Sequence, residues 1–157
     1  MNAVIARGSI PVAYCFDRAY APYAAVSTYS VIAANRTPLH VFWCVPDEDV
    51  AAAEELRGAL EGHRNARIEV VPLSLEKFRE WPTINYISRA TYLRLLLPQA
   101  IPVPRIVYLD ADTLVTGSLR PLFEAPMGDR LLAGVLDLAS STSRLPRAPG
   151  EPYVNAG

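Results

Sequence analysis

Val107-Tyr108-Leu109-Asp110-Ala111-Asp112-Thr113-Leu114-Val115 is the stretch on which the reading of this chain turns. An apolar run from Arg105 to Leu109 predicts a buried strand, and it opens straight into two carboxylates separated by one residue. Aspartate is common in solvated turns. This pair, however, is wedged between two apolar stretches, which points to a turn held at the end of a core strand. In open α/β sheets the ligand crevice lies outside the carboxyl ends of the strands. Hard divalent cations prefer oxygen ligands, and Mg²⁺ typically takes one or two carboxylates together with substrate phosphates. Mn²⁺ suits the same donors. The expectation is a metal site that holds a phosphorylated substrate.

Working outward, Ile10–Phe16, Leu39–Val45 and Arg67–Leu73 read as three further strands, short and rich in apolar residues. A helix is predicted over Ala19–Ala34, with Tyr23, Val26, Ser30 and Ala33 on one side, Pro22 near its start and Asn35 at its end. A second helix is expected from Asp47 as cap to a stop at Gly62, with Glu48 and Asp49 in its first turn. Ser88 is placed to cap a helix that runs through Leu97 and ends at Pro98. One helical turn over Leu119–Glu124 and a strand over Leu131–Leu136, ending at Asp137, complete the pattern. Strand alternating with helix over the first 73 residues is the signature of a mainly parallel central sheet flanked by helices.

Composition excludes several classes. The 157 residues are 51% hydrophobic and 20% charged, which is globular and gives enough chain for one domain with a core. A net charge of −1 with no basic block argues against nucleic acid as a partner. Cys15 and Cys44, both in apolar runs, make neither a disulfide framework nor a zinc site, and a reducing cytoplasm is the default expectation. Residues 1–8 lack the apolar run of a signal peptide. The longest uncharged stretch, Ala19–Asn35, is too polar for a transmembrane span. A soluble chain is expected, with peripheral attachment to the inner face of a membrane left open. The chain stops in mid-pattern at Tyr153-Val154-Asn155-Ala156-Gly157, so a domain cut short at its C-terminal side is expected.

Asp17-Arg18-Ala19-Tyr20 follows the first strand and faces the same crevice. An aspartate there can accept from a base edge and a tyrosine can stack on a planar ring. Taken alone, the stretch reads more simply as Asp17 capping the next helix and Tyr20 packing in the core. Arg18, Arg89 and His40 are expected at solvated surface positions. No dinucleotide or P-loop glycine pattern is present. Haloacid-dehalogenase-type phosphatases share an apolar strand followed by Asp-x-Asp-x-Thr, but here Thr113 comes one residue early and three strands precede the motif.

Together these stretches resemble glycosyltransferase family 8, from about Pro11 to the last residue. Ile106 to Val115 with Gly117-Ser118-Leu119 carries the family's apolar pair, Tyr-Leu-Asp-x-Asp and small-residue step into a leucine. Ser88-Arg89-Ala90-Thr91-Tyr92-Leu93-Arg94-Leu95 is similar to its helix ending in Tyr-x-Arg-Leu, and Tyr153 to Gly157 is similar to its Tyr-Phe-Asn-Ala-Gly. The resemblance implies an α/β fold of the GT-A, Rossmann-like nucleotide-diphospho-sugar transferase type, as a single domain over residues 1–157. It implies that Asp110 and Asp112 bind Mn²⁺ (or Mg²⁺), with Ala111 between them and Asp110 also near the ribose. Asp17 would read the uracil edge and Tyr20 stack on it. Arg94 would sit near the donor sugar and diphosphate, and Asp137 with Asn155 and Ala156 would line the sugar and acceptor side. Arg94, Asp137 and Asn155 are the catalytic candidates.

The implied partners are a UDP-sugar donor, with glucose and galactose both open, and a glycan, lipid-linked or protein acceptor. Transfer would retain the anomeric configuration. The chain departs from the family at Ala19, where members commonly carry asparagine, and lacks the later acidic segment and the metal-binding histidine. If these residues are the whole protein, weak or absent catalysis is expected. A nucleotide-sugar-binding module and a self-glycosylating primer are the competing readings.

Overall fold

In the computed structural model the described residues are Ala6, 8–83, 88–136 and 154–155, of which 135–136 and 154–155 are described through their backbone alone. The chain divides into two compact units, 1–124 and 125–157. The first contains β1 (Ile10–Cys15), α1 (Ala21–Ala34), β2 (Leu39–Pro46), α2 (Val50–Ala59) and β3 (Ala66–Leu73). Short 3₁₀ turns (Asp47–Asp49 and Glu76–Phe78), a longer 3₁₀ segment (Arg89–Leu96), α3 (Leu97–Ala100), β4 (Val107–Tyr108) and the single turn α4 (Arg120–Phe123) complete it. The second unit pairs β5 (Val135–Leu136) with β6 (Val154–Asn155) antiparallel, Val135 opposite Asn155 and Leu136 opposite Val154.

The sheet of the first unit runs β3-β2-β1-β4, all parallel. Every residue of β1 and β2 is buried, as expected of parallel strands covered on both faces. One face meets α1 and α2 around Val12, Tyr14, Phe16, Val31, Val41 and Trp43. The other meets the 3₁₀ segment and α3 around Ala13, Cys15, Phe42, Cys44, Leu93 and Leu97. β3 lies at an edge of this sheet, which suits Pro72, a residue without an amide hydrogen to donate.

Several sequence expectations need correction. On α1 the buried residues are Ala21, Ala24, Ser27, Thr28, Val31 and Ile32, whereas Tyr23 and Val26 are each 59% exposed. Small residues let this helix lie close to the sheet, and Thr28 accepts the indole hydrogen of buried Trp43 at 2.9 Å. Asp47 does not cap α2. It opens a separate 3₁₀ turn over Asp47–Asp49, and Asp49 Oδ2 accepts the Arg18 amide at 2.9 Å. The expected helix over 88–97 is a 3₁₀ segment without a side-chain cap, and Pro98 does not end it. Pro98 occupies the first turn of α3, where its missing amide hydrogen costs nothing. The strand before the acidic turn shortens to Val107–Tyr108, and the one expected over 131–136 to Val135–Leu136.

His40, expected at the surface, is 2% exposed on β2. It stacks on Phe42 with ring centroids 4.2 Å apart and lies 3.1 Å from Glu69 Oε2. Burial lowers its pKa from 6.5, against the opposing pull of Glu69. The folded protein therefore binds fewer protons here than the unfolded chain, so this contribution to stability is complete above 6.5 and is lost as pH falls through and below that value. Melting temperatures taken between about pH 7.5 and 5.5 should fall with pH, and His40→Gln should flatten that slope.

Candidate functional site

In this strand order the chain moves from β1 to β2 on one side, while β4 is added on the other. The change of direction lies between β1 and β4, the place where open α/β sheets bind ligands. Val12 is in register with Val107 and Ala13 with Tyr108, and the Leu109 amide donates to the Ala13 carbonyl at 3.0 Å. Asp17 and Asp110 thus follow the carboxyl ends of two adjacent parallel strands.

The acidic turn is held from beneath by α1. Thr113 Oγ1 donates to the Asp110 carbonyl at 2.8 Å, and that commits its only hydrogen. The contact between Ser27 Oγ and Thr113 Oγ1 at 3.3 Å must then be donated by Ser27, and the 3.0 Å contact between Tyr14 and Ser27 by Tyr14. A one-way chain of hydroxyls results, from Tyr14 through Ser27 and Thr113 to the backbone oxygen of Asp110. Burial pushes the Tyr14 phenol up to about 12, so it stays a donor. Farther along, the Val115 amide donates to Ser30 Oγ at 2.9 Å and the Leu119 amide to Asn35 Oδ1 at 2.7 Å. A segment without regular structure is in this way clamped to one helix.

Above the turn, Arg94 Nη2 lies 3.3 Å from Asp110 Oδ1, and the Tyr108 hydroxyl donates to the same oxygen at 3.0 Å. Arg94 Nε donates to the Thr91 carbonyl at 2.9 Å, and the guanidinium carbon stands 4.9 Å from the centre of the Tyr108 ring. Burial, more than any neighbouring charge, raises the Tyr108 pKa above its ordinary value of 10.0 and keeps the hydroxyl protonated. Asp112 is exposed, and Ala111 is buried against the α1 side of the core. Asp17 Oδ1 accepts the amides of Ala19 and Tyr20 at 3.0 and 3.2 Å, an Asx turn leading into α1. Tyr20 is partly buried against the core, its ring 5.7 Å from that of Tyr23.

Of the residues singled out from sequence, Arg94 and Asp110 are brought into contact, with Asp112 one residue beyond the buried Ala111. Asn155 lies in β6 of the second unit, paired through its backbone with Val135, and Asp137 and Ala156 lie outside the described residues. Sequence reasoning missed Tyr108, Thr113, Ser27 and Ser30. Tyr108 was detectable as the residue two before Asp110, on the same face of an extended strand. The hydroxyls of α1 were visible only as polar interruptions in an uncharged run.

Asp110 and Asp112 fit a hard cation by the chemistry of their oxygens. Among the described residues no third histidine, cysteine or acidic side chain joins them in a cluster. Two carboxylates would leave the remaining positions to substrate oxygens and water, the usual way of binding Mg²⁺.

A parallel sheet with a strand-end acidic turn of this kind fits the GT-A class of glycosyltransferase folds, and the likeness to solved members shows that fold. A crystal structure of galactosyltransferase LgtC in complex with donor and acceptor sugar analogs superposes with a TM-score of 0.74 at 32% identity, covering 94% of this chain and 56% of that one. The family described as Glycosyl transferase family 8 matches residues 11–157, and the chain belongs to it. A Haemophilus influenzae relative is 31% identical over 129 residues, 80% of this chain and 38% of its own length. The lipopolysaccharide 1,2-glucosyltransferase of Escherichia coli K12 is 28% identical over 154 residues, 93% of this chain and 45% of that protein. The chain therefore spans about half the length of the relatives it matches, or less.

Proposed function

We propose that this chain forms the donor-binding part of a divalent-metal-dependent hexosyltransferase, which moves glucose or galactose from a UDP-sugar to an acceptor hydroxyl with retention. The observation that carries the reading is the convergence of Arg94, Tyr108 and Asp110 at the β1/β4 switch point, on a turn clamped by α1. Family membership supports sugar transfer, and the relatives' names supply both hexoses as candidates.

In this reading Asp110 and Asp112 hold Mn²⁺ or Mg²⁺, which when bound acts as a Lewis acid toward the diphosphate leaving group. Arg94 adds a fixed positive charge where negative charge develops. Asp17, whose Oδ1 is taken up by its own Asx turn, and Tyr20 are proposed for the uracil. Asp137, Asn155 and Ala156 are proposed for the sugar and acceptor. The acceptor is a glycan, lipid-linked or protein hydroxyl. Among the described residues no helix is long and apolar enough to cross a membrane, and cytoplasmic action, free or at the inner face of a membrane, is part of the proposal. A second reading is donor binding without turnover.

Binding and turnover of UDP-glucose and UDP-galactose, each with and without Mn²⁺, test the proposal in wild type and Asp112→Asn. Mn²⁺ should tighten donor binding in the wild type, and Asp112→Asn should remove about tenfold or more of that gain. UDP binding that is independent of metal and unchanged by Asp112→Asn would overturn it. Binding without turnover would select the second reading.

A further inference from the structure

Two donors approach Asp110, and both use the same oxygen. The Tyr108 hydroxyl and Arg94 Nη2 reach Oδ1 at 3.0 and 3.3 Å, while Oδ2 accepts from no donor among the described residues. Neither donor is free to wander. Tyr108 is fixed by its strand pairing with Ala13, and Arg94 is tied to the Thr91 carbonyl and laid over the Tyr108 ring. Asp110, with its side chain 42% exposed, thus presents one saturated and one available oxygen to solvent.

We infer that Tyr108 is a positioning residue that makes Asp110 a one-oxygen ligand and thereby sets which cation the acidic turn accepts. This rests on the reading of that turn as a cation and diphosphate site. A carboxylate whose Oδ1 is loaded with two hydrogen bonds coordinates through Oδ2, whereas an unloaded carboxylate can chelate with both oxygens. Calcium accepts more oxygens and takes bidentate carboxylates readily, but Mg²⁺ demands a compact octahedral shell. Mn²⁺ shares the preference for octahedral oxygen ligands. Loading Oδ1 therefore disfavours Ca²⁺ and favours the smaller ions. Arg94 contributes to the same end, but as a charge it also acts on any phosphate nearby. The Tyr108 hydroxyl, by contrast, touches the carboxylate alone.

Calorimetric titration of Mn²⁺, Mg²⁺ and Ca²⁺ into protein saturated with UDP tests this, alongside UDP binding in EDTA. In Tyr108→Phe the ratio of Mn²⁺ to Ca²⁺ affinity should fall about tenfold, with UDP binding in EDTA and the melting temperature little changed. Arg94→Gln, which removes the other donor on Oδ1, should move the ratio the same way, and Tyr29→Phe, on the exposed side of α1, should not move it. An unchanged ratio in Tyr108→Phe overturns the inference, as does an equal loss of all three cations together with UDP itself. If UDP binding by the wild type is indifferent to every cation, the reading of the turn fails first and this inference falls with it.

Discussion

Asp110→Asn should reduce UDP binding in Mn²⁺ to the level seen in EDTA, a loss of about ten- to a hundredfold, while the protein stays folded. The amide keeps an oxygen for the Tyr108 hydroxyl, so the local geometry survives. What disappears is the negative charge that faces both the cation and Arg94. The Arg94–Asp110 pair contributes little to folding, because the two side chains are 22% and 42% exposed and water screens them. Its loss should shift the melting temperature by only a few degrees. The experiment separates binding from stability: donor affinity by calorimetry with and without Mn²⁺, and thermal melting on the same samples. A variant that retains the full Mn²⁺ effect would exclude Asp110 as a ligand.

Asn35→Leu should act first on the fold, through a buried side chain that is not itself a candidate ligand. Asn35 is 3% exposed and serves two chain segments at once. Its Nδ2 donates to the Val31 carbonyl at 2.8 Å, closing the end of α1, and its Oδ1 accepts the Leu119 amide at 2.7 Å. Leucine is of similar size but can do neither, so a buried amide hydrogen is left without a partner. Such orphaned groups cost about 1–3 kcal/mol each, and the total should be about 2–4 kcal/mol. For a chain of this length the melting temperature should fall by roughly 10 °C. Asn35→Asp keeps the acceptor for Leu119 and should fall between the two. A leucine variant that melts like the wild type would show that the 115–119 segment finds other partners.

What could be read from sequence, and what could not, follows from how far apart the interacting residues lie. Ile10–Phe16 and Leu39–Val45 were legible because strands buried on both faces read as near-continuous apolar runs, and Arg67–Leu73 because Ile68, Val70 and Val71 mark it although it is only partly buried. The face of α1 was misassigned because its buried side is made of Ala, Ser and Thr, which hydrophobic spacing does not mark, while Tyr23 and Val26 point outward. Asp47 as a cap failed because a 3₁₀ turn intervenes before Val50. In the site, Asp110, Asp112 and Arg94 stood out through local motifs. The contact of Ser27 with Thr113 spans 86 residues and had no local signal. Tyr108 was within reach as the residue two before Asp110, but nothing in the sequence marked the use of its hydroxyl.

The clamp on residues 113–119 also bears on how this site can move. A surface loop ordinarily flexes about its own ends, independently of the elements beside it. Here Thr113 and Val115 are fastened to α1 through Ser27 and Ser30, and Leu119 to Asn35 just past its end. A displacement that reshapes the acidic turn must either break these hydrogen bonds, at about 1 kcal/mol each, or carry the helix along. A substitution on the hidden side of α1 is therefore felt at the carboxylates. The mechanical unit of this site is a loop and a helix moving together.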